Sequence, residues 1–168
     1  MKSSLLVLVA CLFVAGCSGG SGQATVAATK TSTVQPSPTV ALEQAARTAI
    51  EQNAKVSDYV LSNNAIPSWA SQSTAGPALA GLRGSAAQRK KARVRVRVLA
   101  SSVKIHSIRL NPSYLSATAS IVDEGRVRVY KNGRQEGRTM TLKEPAQVAL
   151  HRVGSETRFV VWKLTVVK

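Results

Sequence analysis

The sequence predicts an α+β domain: N-terminal helices packed on one face of a curved antiparallel sheet of four or five strands. Three observations predict it. Apolar residues recur at three- and four-residue spacing from Leu42 to Val60, the helical period. From Ala92 onward the period falls to two, with Val94, Val96 and Val98 alternating against Arg93, Arg95 and Arg97. Asn132-Gly133 then marks a tight hairpin between two such runs. Helices first and strands afterwards is the order of an α+β chain.

At the N-terminus, Lys2 precedes an apolar run from Leu5 to Gly16. The run has the length of a signal-peptide core and is too short to span a bilayer as a stable helix. It ends in Val14-Ala15-Gly16-Cys17, followed by Ser-Gly-Gly-Ser-Gly. An aliphatic residue, two small residues and a cysteine resemble the lipobox of bacterial lipoproteins. The resemblance implies a signal peptide over residues 1–16, cleavage before Cys17 and a diacylglyceryl thioether on the Cys17 sulfur. Two acyl chains suffice for stable anchoring, so the expected location is extracytoplasmic, on a bacterial membrane. Cys11 leaves with the signal, so the mature chain keeps no disulfide, thiol nucleophile or cysteine metal site. Residues 17–38, rich in Ser, Thr, Gly, Ala and Pro, read as a flexible tether. Its rms span is about 25 Å. Residues 39–168 are long enough for one domain with its own core.

The domain opens with a helix, for which Thr39 is the expected N-cap and Glu43 a first-turn acid. Its apolar face carries Leu42, Ala46, Ala49, Val56 and Val60, and Asn63-Asn64 ends it. Asn53 lies on the same face and is read as a satisfied core amide rather than a polar group in a pocket. Residues 66–77 form a broken segment with one helical turn around Trp69. A second helix runs from Pro77 to Lys91, with Arg89, Lys90 and Lys91 at the negative end of its dipole. Strand runs follow. Asp123-Glu124-Gly125 is read as a bulge, and Glu144-Pro145 as a break. The last run, Thr157 to Val167, is apolar on both faces, as in a strand covered on both sides.

The residues "VKIHSIRLNPSYLSATASIVDEGRVRVYKNG", with "MTLKEPAQVALHRVGSETRFVVWKL", resemble the nuclear transport factor 2-like, or cystatin-like, cone fold. Trp162 stands where that superfamily often has a tryptophan in its final strand. Within these, "IVDEGRVRVYKNG" and the closing "VALHRV" and "FVVWKL" are similar to the intermembrane-space domain of chloroplast-division proteins and their cyanobacterial relatives. The resemblance implies a cone closed by helices and a sheet through which such domains often pair as homodimers. It assigns no catalytic residue.

Charge is concentrated in the C-terminal half. Residues 83–168 hold nineteen basic and five acidic residues, whereas residues 17–82 are neutral overall. Six cations fall within Arg89–Arg97. Such a field favours polyanions, and Arg93, Arg95, Arg97, Arg126 and Arg128 are the candidate anion-binding residues. Export argues against nucleic acid as the partner, and few aromatics are available to stack on bases. An anionic envelope surface, of lipid headgroups or of a phosphate-bearing wall polymer, is one reading. A solvated strand face whose arginine stems cover apolar surface is the other.

No phosphate-cradling glycine loop and no nucleophile elbow occurs. Two histidines without cysteine make no metal site unaided, and no cofactor is expected. By strand alternation His106 shares a face with Ile108 and Leu110, and His151 with Ala149 and Val153. Each is a hydrogen-bonded sheet histidine or the lining of a cavity. His106, Tyr114, Tyr130, His151 and Trp162 are the candidate concave-face contacts. The expected function is a non-catalytic binding or scaffolding module of the cell envelope, anchored through Cys17, with an envelope protein or anionic polymer as partner. The alternative is a small-ligand-binding or isomerase- or dehydratase-like domain on the same cone. A filled cone favours the first and a deep cavity with a carboxylate or histidine the second.

Overall fold

The computed structural model describes residues 37–167; the expected signal peptide, Cys17 and almost all of the tether lie outside them. Helix α1 (Pro38–Asn63) is followed by a short 3-10 turn (Ala70–Gln72), helix α2 (Gly76–Lys91) and strands β1 (Val94–Leu110), β2 (Ser116–Lys131), β3 (Arg134–Arg152) and β4 (Phe159–Val166). The fold is α+β, with two helices on a four-stranded antiparallel meander in the order β1-β2-β3-β4.

The N-cap of α1 is Ser37, not Thr39. Its Oγ accepts from the Val40 amide at 3.4 Å. Pro38 supplies the first turn, where its missing N–H costs nothing, and Glu43 falls beyond that turn. Asn64 ends the helix in the left-handed conformation at φ 52°. Arg89 of α2 reaches across to this end. Its Nε donates to Asn64 Oδ1 at 2.9 Å and its Nη2 to the Val60 carbonyl at 3.1 Å. One of the three basic residues closing α2 thus caps the other helix.

Leu42, Ala46, Ala49 and Ile50 pack on Ala117, Ala119 and Ile121 of β2, Val148 and Leu150 of β3, and Phe159 and Val161 of β4. The many alanines let α1 approach the sheet closely, which is how a chain poor in aromatics closes its core. Val56 and Val60 form a second cluster with Ala70 and Ala86. Asn53 is a satisfied core amide: its Nδ2 donates to Thr74 Oγ1 at 2.8 Å, and both residues are buried.

The earlier strand runs fuse into three long strands, β1 to β3 of 16 to 19 residues, and the last run gives the eight-residue β4. Asp123-Glu124-Gly125 is not a bulge. It pairs in register with β1 and with Leu142, Lys143 and Glu144 of β3. The irregularities lie elsewhere. Leu99 and His106 are extra residues in β1, Gly137–Thr139 bulges opposite Arg128, and Trp162 is extra in β4. Pro145 does not break β3. It lies one residue beyond the last β3–β4 pair, Ala146–Val166, where β3 has become an edge and a missing N–H is tolerated. β4 is covered on both sides only at Phe159, Val160 and Val161. Trp162, Leu164 and Val166 are exposed, because β4 is an edge strand and only Val161 is bridged on its outer side, by the loop through Thr74.

Candidate functional site

The concave side of the sheet is occupied by α1. The space between the sheet and the C-terminal third of the helix, at Asp58 and Leu61, is about 50 Å³, a small fraction of the ~300–1,000 Å³ of a ligand pocket. Asp58 of α1, Asp123 of β2 and Glu144 of β3 border it, with Ser101 of β1. Burial raises the Asp58 carboxyl above the ordinary carboxylate range, and a hydrogen bond with Ser101 partly offsets this. Partial desolvation also raises Asp123, which remains exposed on one side, and the charges of Asp58 and Glu144 reinforce the shift. No group of three such side chains among the described residues is placed to hold a metal ion. Sequence reasoning missed these acids, although a signal exists: Ile121, Asp123, Gly125 and Val127 keep one period of two, which carries Asp123 inward.

The outer face gathers the arginines. Arg95 and Arg97 of β1 and Arg126 and Arg128 of β2 alternate with inward valines. Arg97 lies directly opposite Arg128, and Arg95 opposite Tyr130. Among the described residues the ion pairs engage Lys104 and Lys143 with Glu124, Lys131 with Glu136, and Arg158 with Glu156. The arginines of the row enter none of them. Arg128 Nε donates to Thr139 Oγ1 at 3.1 Å. Arg93 precedes β1 in a turn at φ 55°, and its carbonyl accepts from the Asn132 amide at 3.0 Å. It therefore leaves the strand row and joins Lys90, Arg95, Asn63, Asn132 and Tyr130 around an open groove of about 600 Å³ that no carboxylate lines.

The five residues expected as concave-face contacts do not share a face. His106 is exposed at its bulge, where the extra residue breaks the alternation that aligned it with Ile108 and Leu110. Tyr114 precedes β2, in a turn at φ 58°. Tyr130 joins the arginines. His151 alternates with buried Leu150, and its ring stacks on Trp162 at 4.7 Å and 6°. This stack and the Tyr130–arginine neighbourhood are what the structure brings together.

No family model and no curated protein matches the chain. Among solved structures it is similar to the crystal structure of the intermembrane space region of chloroplast protein ARC6. The TM-score is 0.62 at 9% identity, over 74% of this chain and 95% of that one. The likeness is one of fold. It agrees with the resemblance to the intermembrane-space domain of chloroplast-division proteins and carries no residue across.

Proposed function

We propose that the chain is a membrane-anchored, extracytoplasmic lipoprotein whose domain is a non-catalytic binding or scaffolding module with a basic contact surface. The observation that carries this reading is the filled concave side, with about 50 Å³ left beside α1. Catalysis on a cone needs a substrate-sized cavity around its acid or base. The outer face carries the complementary feature. Like charges directly opposite on neighbouring strands destabilise a sheet, and the Arg97–Arg128 pair has no carboxylate to relieve it. An anionic partner would. The Val14–Cys17 lipobox supplies the anchor, and the structural neighbour is an intermembrane-space domain, which suits an extracytoplasmic location.

A second reading, ligand binding or minor enzymatic activity on the cone, draws on the raised carboxyls of Asp58 and Asp123 at the concave space. It requires that space to open. Fractionation of cells tests the first reading. The full chain is expected to stay with membranes in high salt and enter the detergent phase, and the Cys17→Ser chain to become soluble. Membrane retention of Cys17→Ser in high salt would overturn the lipid anchor. Capture from intact envelopes that returns a small molecule at the concave side, and no envelope component, would favour the second reading.

A further inference from the structure

The two ends of the domain differ in character. At one end α1 begins after its N-cap Ser37, and its first turns bring Leu42, Ala45 and Ala46 to the core cluster that includes Leu150 and Phe159, with Leu110 packed against it. At the other, α1 ends at Asn64, whose Nδ2 donates to the Val94 carbonyl at 2.7 Å. A helix of 26 residues separates these ends by about 39 Å. The first described residue, Ser37, lies at the first end. The arginine row, the groove and the β2–β3 hairpin occupy the second.

The second end has the chemistry of a polyanion seat. Residues 89–97 contain no acid, and Glu136 is the one carboxylate in residues 126–139. Glu136 is already matched by Lys131 at 4.0 Å. Arg95 and Arg97, like Arg126 and Arg128, are two positions apart, so their Cα atoms recur about every 7 Å along adjacent strands. Guanidinium groups pair with phosphate in a planar, bidentate manner. Residues 131–139 carry no apolar side chain, so the hairpin has no wedge to bury in a bilayer.

We infer that this end binds a linear, phosphate-bearing polymer of the envelope, seated in the groove by Lys90, Arg93 and Arg95 and continued along Arg97, Arg128 and Arg126. The inference deepens, and rests on, the proposed basic contact surface.

The test uses the full chain carrying Cys17→Ser, free of lipid, and immobilised poly(glycerol phosphate). Saturable binding that weakens steeply with salt is expected. The triple variant Arg95→Gln, Arg97→Gln, Arg128→Gln is expected to bind about tenfold more weakly or worse. Arg109→Gln with Lys163→Gln, cations outside the seat, is expected to bind as the parent does. If the triple variant melts early, Lys90→Gln, on an exposed helical position, carries the comparison through a logarithmic salt slope reduced by about one. Absence of binding, or equal binding by parent and triple variant, would overturn the inference. Arginine-dependent binding to phosphatidylglycerol vesicles without binding to the polymer would overturn it in favour of the bilayer, and would leave the basic contact surface standing. Failure of the anchor shows separately, as Cys17→Ser chain retained on membranes in high salt, where binding through the seat is lost.

Discussion

Two residues hold the junction between α1, the loop after the 3-10 turn and β4. Asn53 and Thr74 satisfy each other at 2.8 Å inside the core. Asn53→Leu leaves the Thr74 hydroxyl buried with only the marginal Ser73 contact at 3.5 Å, an expected loss of about 1–3 kcal/mol in urea unfolding. Adding Thr74→Val should recover part of that loss, because neither polar group then remains. Gly76 sits at φ 52°, and a Cβ there would lie 2.7 Å from the Trp162 ring. Gly76→Ala therefore meets both backbone strain and a ring held against His151. A loss of about 2 kcal/mol or more is expected from thermal melts. The polar character of Asn53's environment is legible in the sequence, since the residue falls on an apolar stripe. Its partner, 21 residues away, is not, because nothing local distinguishes Thr74 from its neighbours.

Among the elements, the bulges explain most of the difference between expectation and structure. One extra residue reverses the face of everything beyond it, so His106 and Trp162 leave the faces that alternation assigns them. Composition does not mark these positions, whereas the Asn132-Gly133 turn is marked by its need for positive φ, found at 50° and 80°. The β1–β2 pairing also predicts a separation of stability from binding. Arg97→Glu turns a repulsive pair with Arg128 into an attractive one and should stabilise the fold by about 0.5 kcal/mol while weakening polymer binding. Where α1 meets β2 and β3, Asp58 and Asp123 ionise less readily in the folded state than unfolded. Their stabilising contribution is present below the ordinary value of 3.8 and is lost as pH rises through their raised folded values. Glu124 acts in the opposite sense. Its hydrogen bond with Lys104 holds it below 4.5, so its contribution is present above that value and lost as pH falls through the lowered one. Asp123→Asn should accordingly raise the urea midpoint at neutral pH, with a gain that shrinks as pH is lowered toward about 4.

For the whole molecule, what matters most is the distribution of charge. The chain carries a net +15, almost all of it after Leu82, and the fold concentrates much of the excess at the end opposite Ser37. Self-repulsion of this kind is screened by salt. The melting temperature should therefore rise between low and physiological ionic strength, and rise less in Arg97→Glu. The α+β class, the apolar face of α1, the hairpin turn and the excess of arginine all follow from the amino-acid order alone, because each is written in local periodicity, turn chemistry or composition. Folding in three dimensions was needed to establish that α1 fills the concave side, that Asp58, Asp123 and Glu144 converge there, and that Arg93 leaves the row to line a groove with Lys90 and Asn132. These depend on strand register and on contacts between residues far apart in the chain, and a single bulge is enough to change which side chains meet.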